Sequence, residues 1–163
     1  MNVKKIITEV KIYSHQDELS ESDKNLLKKA YKAADKAYAP YSEFYVGAAL
    51  LLENGKIITG NNQENVAYPS GLCAERVAVF NAGALYPDVP INTIAIVAKT
   101  NRFELHQPVS PCGACRQVIA EYENRHHNKI RIVLKGQTDE VWVVEGIKTL
   151  LPLIFDEKGL KRK

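Results

Sequence analysis

A chain of 163 residues, 45% hydrophobic and 25% charged, is long enough for one domain with its own core and has the composition of an ordinary soluble globular protein. No segment approaches the apolar length of a membrane span, and residues 1–9 hold too short an apolar run for a signal peptide, so a cytoplasmic protein with no membrane partner is expected. The net charge of +3 is mild and scattered except at Lys158, Lys161, Arg162 and Lys163, read as a solvated tail rather than a nucleic-acid contact, and three cysteines, an odd number, suit a reducing compartment better than a disulfide framework.

Residues 6–13 form a β-like run followed by a polar link, read as an extra edge strand or an ordered arm in an N-terminal extension of residues 1–19. Ser20 can cap a helix with Glu21 and Asp23 in its first turn, and Leu26, Leu27, Ala30, Ala34 and Ala37 recur at helical spacing up to Pro40, which predicts a helix over residues 21–38. Residues 44–52 and 56–59 flank Asn54-Gly55, a strong hairpin signal, so two antiparallel strands are expected there. Residues 60–69 are rich in Asn and read as a polar loop. Residues 76–82 are helix-compatible and end at Gly83. Residues 93–99 and 130–135 are apolar strands separated by a second helix, a parallel crossover unit. Residues 141–144 read as a last strand, before a short helix through Leu150 and Leu151 that Pro152 breaks. The alternation predicts a three-layer α/β/α sandwich around a mixed sheet of about five strands.

All three cysteines fall in two short motifs, Cys73-Ala74-Glu75-Arg76 and Pro111-Cys112-Gly113-Ala114-Cys115-Arg116. In mid-helix, residues two apart point roughly 200° away from each other, so Cys73 and Glu75 share a site only at a helix start. Pro111 suits a first helical position, and Cys112 and Cys115, three apart, lie on one side of the helix that follows. Two helix N-termini would then converge, and their dipoles favour thiolates, the species that bind zinc. Three thiolates with no fourth ligand fit a Zn²⁺ that keeps one position open, as catalytic zinc does. Arg76 is the nearest group able to moderate the excess negative charge on sulfur. Taken alone, Cys112 and Cys115 also read as a redox pair or as half of a structural zinc site. His106 is a conceivable fourth ligand for the latter, whereas His126 and His127 sit at a helix end where the dipole favours a cation.

Cys-Ala-Glu-Arg followed by Pro-Cys-Gly-Ala-Cys-Arg-Gln resembles the zinc signature of the cytidine deaminases, in the three-cysteine form of the small homotetrameric members, and the resemblance covers residues 26–155. It implies a catalytic domain over residues 20–163 that binds one Zn²⁺ per subunit at Cys73, Cys112 and Cys115 and deaminates cytidine and 2′-deoxycytidine in pyrimidine salvage. Glu75 would be a proton shuttle that takes a proton from water, gives one to N3 of the pyrimidine and later supplies one to the departing amine; zinc would lower the pKa of water from 15.7 toward about 7. Phe44 would pack on the pyrimidine ring, Asn62 and Glu64 would bind the ribose hydroxyl, the Ala74 N–H would face the ring carbonyl, and Ser110 would offer backbone contact to the leaving amine. Phe155 would cap a neighbouring subunit's site, with Tyr68 contributing across the same interface. Tyr45 stands where many members have proline, and residues 1–19 fall outside the pattern.

Other chemistry was open on the sequence. A deaminase of another cytosine-bearing small molecule, such as blasticidin S, shares the cysteine signature. A nucleic-acid editing deaminase generally has His where Cys73 stands and needs a basic groove interleaved with aromatics, which is not visible here. A non-catalytic zinc-stabilised binding module would need a fourth protein ligand and would have no use for Glu75.

Overall fold

A computed structural model describes residues 1–160; Lys161, Arg162 and Lys163 of the basic tail lie outside the described residues. The strands are β1 (Lys11–Tyr13), β2 (Phe44–Leu52), β3 (Ile57–Asn61), β4 (Ile91–Thr100), β5 (Arg131–Lys135) and β6 (Val141–Glu145), and the α-helices are α1 (Glu21–Ala34), α2 (Ala74–Leu85) and α3 (Gly113–His126). Among the described residues the six strands form one mixed sheet in the order β1-β6-β5-β4-β2-β3. β4 and β5 run parallel, as a crossover through α3 requires, and the other neighbours are antiparallel. The sixth strand, beyond the expected five or so, is β1 at the edge.

Alternation along the strands divides the core between the two faces of the sheet. Ala49, Val97 and Val133 point to the face that α1 covers with Leu26, Leu27 and Ala30, while Leu50, Ile94 and Ile132 point to the face covered by Ala78 and Val79 of α2 and Ile119 of α3. The result is the expected three-layer sandwich, with the central strands buried on both sides and correspondingly apolar. Asp23, almost fully buried in the first turn of α1, accepts a 3.1 Å bond from Arg131 of β5 and ties the helix to the sheet. At the other end of the motif-bearing face, one Glu123 oxygen accepts the N–H groups of both Ile130 and Ile147 at 2.8 Å. Burial pushes the Glu123 carboxyl above its ordinary range.

Five elements differ from expectation. Of the β-like run over residues 6–13, only Lys11–Tyr13 forms a strand, paired with β6. α1 begins at the Ser20 cap, whose hydroxyl accepts the Asp23 N–H at 3.2 Å, but it stops at Ala34 rather than near Tyr38. Bonds from Lys36 to Ala33 and from Ala37 to Ala34 tighten the turn, and Tyr38 then exchanges backbone bonds with Asn62 and Glu64 at 3.0 and 2.9 Å. That tertiary bridge outweighs the helix propensity of residues 35–38. Gly60 and Asn61 belong to β3, not to a loop, because they pair with Ala48 and Gly47 of β2. α2 continues through Gly83 to Leu85. The expected helix at Leu150 and Leu151 is a 3₁₀ turn over Ile147–Thr149.

Gly60 fixes where α2 begins. A Cβ there would stand 2.5 Å from the Ala78 nitrogen and 2.6 Å from the Ala74 carbonyl oxygen, so the helix backbone rests directly on β3. Gly60→Ala is expected to lower stability by about 1–3 kcal/mol, the usual cost of overpacking. Urea denaturation measures this, and an unchanged midpoint would contradict the close approach.

Candidate metal and substrate site

Cys73 and Cys112 are the N-cap residues of α2 and α3, both in extended backbone conformation, and Cys115 lies in the first turn of α3. Pro111 precedes the cap rather than opening the helix, so Gly113 is the first helical residue, and the turn geometry still places both thiols of α3 together. The Cys73 and Cys112 sulfurs are 3.9 Å apart, the Cys112 and Cys115 sulfurs 3.5 Å apart, and all three lie within 4.8 Å of one another. Two crossover helices thus aim their positive ends at one cluster. His106 is exposed and pairs with Glu104 at 3.7 Å, and the metal-competent cluster among the described residues comprises the three cysteines without a histidine. His126 ends α3 and His127 caps it in left-handed conformation, as the sequence suggested. Burial and the neighbouring Arg125 push the His126 ring below its usual pKa, partly offset by Asp88.

Protons are shared unequally in the cluster. A hydrogen bond from Cys115, working against burial and aided by Arg76 and Cys112, pulls the Cys73 thiol down to about 5. The same hydrogen bond, with burial and the nearby Glu75 charge, pushes Cys115 up. Negative charge therefore gathers first on Cys73, where the Arg76 guanidinium donates to sulfur across 3.9 Å. Arg76 Nε is buried and makes no hydrogen bond among the described residues, so the contact with Cys73 comes from the end of the guanidinium alone. Three thiols at two helix N-termini with one moderating cation fit a single Zn²⁺, whose binding displaces the thiol protons.

Glu75, the second residue of α2, is only 5% exposed. Burial is the main force raising its pKa, opposed by its own backbone N–H and reinforced by the Cys73 charge, while Cys115 and Arg76 draw it back. A buried carboxyl poised to keep a proton beside the metal ligands has the environment a proton shuttle needs. Ala74 opens α2, so its N–H has no intrahelical acceptor.

Next to the cluster lies a cavity of about 540 Å³ whose wall includes Cys73 and Arg76 together with Asn62, Glu64 and Tyr68. Phe44, Glu75, Ser110 and Phe155 do not line it. Phe44 is connected to it through Asn62, whose side-chain oxygen accepts the Val46 N–H at 2.8 Å and whose amide nitrogen donates to the Phe44 carbonyl at 2.9 Å. Glu64 accepts the Tyr41 N–H at 2.9 Å, the Ser42 N–H at 3.3 Å and the Ser42 hydroxyl. Burial alone would raise its pKa, but these three bonds together hold the carboxyl below its ordinary value. Tyr68 is largely exposed and packs edge-on against Tyr41 at 5.9 Å. Phe155, also largely exposed, is pinned along α3 by two backbone bonds to the Gln117 amide.

Three contributions were not read from the sequence. Arg116 donates to the Pro111 carbonyl, the Leu150 carbonyl and the Ser110 hydroxyl at 2.7–2.9 Å, which locks the loop before α3 to the chain after β6. Its place directly after Cys115 was the available signal. Phe103 stacks on Phe44 at 6.1 Å and 14°, a contact between distant segments that no local pattern announces. Ser42, two residues before Phe44, joins Glu64 to β2: its hydroxyl also accepts the Phe44 N–H at 3.0 Å.

Comparison with known proteins agrees with this geometry. Residues 20–128 match the family described as the cytidine and deoxycytidylate deaminase zinc-binding region. A cytidine deaminase of Sporosarcina psychrophila is 45% identical over 136 residues, covering 83% of this chain and 92% of that protein. One from Halalkalibacterium halodurans is 44% identical over 137 residues, covering 83% and 95%. The crystal structure of cytidine deaminase from Burkholderia pseudomallei superposes with a TM-score of 0.72 at 40% identity, over 84% of this chain and 100% of that one. The chain belongs to the cytidine and deoxycytidylate deaminase zinc-binding family.

Proposed function

We propose that this protein is a zinc-dependent cytidine deaminase that converts cytidine and 2′-deoxycytidine to uridine and 2′-deoxyuridine, adding water and releasing ammonia, within pyrimidine salvage. The observation that carries the reading is the cysteine cluster at two helix N-termini with a buried Glu75 beside it. Cys73, Cys112 and Cys115 hold the zinc, which supplies a Lewis acid that lowers the pKa of water toward about 7. Glu75 moves protons: it accepts one from the attacking water, passes one to N3 of the ring and delivers one to the leaving amine. Arg76 limits the charge on Cys73. The Ala74 N–H, which has no intrahelical acceptor, donates to the ring carbonyl, the Ser110 backbone faces the departing amine, and Phe44 supports the ring. Asn62 and Glu64 bind the sugar.

The catalytic domain is assigned to residues 20–163 and the extension to residues 1–19, consistent with a family match that begins at residue 20. A homotetramer is supported by apolar groups left open to solvent: Val66, Tyr68, Leu153 and Phe155 are each more than 70% exposed, and Tyr68 lines the cavity. Tyr68 and Phe155 are assigned to completing a neighbouring subunit's site. Three free cysteines in one cluster suit a cytoplasmic setting.

Ammonia release from zinc-loaded protein, measured in parallel on cytidine, 2′-deoxycytidine, cytosine base, blasticidin S and single-stranded DNA, tests the substrate assignment. Turnover of both nucleosides with stoichiometric uridine or deoxyuridine is expected. Turnover confined to blasticidin S or to DNA would replace the nucleoside by that compound.

A further inference from the structure

We infer that Ser42 is a positioning residue for sugar recognition, aiming one acceptor position of Glu64 at a single sugar hydroxyl; this rests on the nucleoside reading above. A carboxylate offers about four acceptor positions. At Glu64, Oε2 takes the Tyr41 and Ser42 N–H groups at 2.9 and 3.3 Å, and Oε1 takes the Ser42 hydroxyl. One position remains, on the oxygen that Ser42 holds. The Asn62 amide, with its oxygen on the Val46 N–H and its nitrogen on the Phe44 carbonyl, likewise keeps one N–H. Both residues line the cavity that reaches Cys73. A hydroxyl that donates to Glu64 and accepts from Asn62 satisfies both leftovers at once, and a ligand lacking it leaves both unpaired.

Ser42 sets this arrangement because its hydroxyl is committed at both ends. Its proton goes to Glu64 and its lone pair accepts the Phe44 N–H at 3.0 Å, so the sugar-binding acid and the start of β2 share one fixed oxygen. Without that hydroxyl, Oε1 has two open positions and no constraint on which one a ligand meets.

The test measures binding of uridine and of 2′,3′-dideoxyuridine by calorimetry, and kcat and KM for cytidine and 2′,3′-dideoxycytidine, on zinc-loaded wild type, Ser42→Ala and Ser42→Thr. Ser42→Ala is expected to weaken uridine binding and raise the KM for cytidine by about tenfold, the effect of one charge-assisted hydrogen bond. The dideoxy ligands are expected to change by less than about twofold, and Ser42→Thr recovers most of the uridine affinity. Equal losses on both sugar types would reduce Ser42 to a support for Phe44 and overturn the inference, as would an unchanged uridine affinity. The inference fails while the nucleoside reading stands if wild type deaminates cytidine but Ser42→Ala shows either pattern; wild type that neither binds uridine nor turns over cytidine overturns both.

Discussion

Glu75→Gln is expected to keep the fold and a full complement of zinc while lowering kcat for cytidine by about 10²–10⁴-fold, the contribution of a positioned general acid–base group. The amide fills the same 5% exposed slot at the start of α2 and leaves all three sulfurs in place. What it loses is the proton. Removing a buried carboxyl whose charge is disfavoured by burial does not weaken the fold, so the variant should denature at or above the wild-type midpoint. Steady-state kinetics with metal analysis on the same preparation decides the matter. Near-normal turnover at full zinc occupancy would contradict the role assigned to Glu75.

Cys112→Ala is expected to abolish stoichiometric zinc binding, turnover and part of the stability together. Two thiols would remain, on different helices, and the cluster would lose the sulfur that lies within 3.9 Å of both of the others. If zinc at a hundredfold excess over its dissociation constant contributes about 2.7 kcal/mol to the folded state, its loss lowers the melting temperature by about 5–10 °C for a chain of this size. Metal analysis, calorimetry and the spectrum of the cobalt-substituted protein measure the three effects. A variant that retains one metal per chain would show that Cys112 is not a ligand, and a cobalt spectrum of the wild type with four sulfur or nitrogen ligands would favour a closed structural site.

The strongly periodic or sharply bounded parts of the fold were legible in the sequence. β2 was placed over Phe44–Leu52 because an apolar run abuts Asn54-Gly55, and Gly55 indeed adopts φ 79° at the turn. The crossover from β4 to β5 followed from two apolar strands around a helix. Two of the misplaced boundaries lie where a tertiary contact outcompetes a local preference: Tyr38 leaves α1 to bridge the 62–64 segment, and Asn61 joins a strand because Gly47 is there to pair with it. The cysteine cluster that could hold a metal was legible because thiolate chemistry admits few residue types, and helix-end geometry explained why Cys73 and Glu75 sit together. The cavity beside the cluster was harder. Asn62 and Glu64 were named by resemblance, but their bonds to Phe44, Val46, Tyr41 and Ser42 depend on the expected hairpin running on past residue 59 and laying the 62–64 segment beside the start of β2, where the Asn-rich sequence read as loop. Arg116 could be singled out by its place after Cys115, but its bond to the distant Leu150 carbonyl could not.

The most direct measurement is the decay of the cytidine ultraviolet band on incubation with zinc-loaded wild type, run beside Glu75→Gln of equal zinc content. The expected result is conversion to the uridine spectrum by the wild type and at most about a hundredth of that rate from the variant. No decay with either protein, at confirmed zinc occupancy, would contradict cytidine deamination, and equal decay with both would contradict the site that performs it.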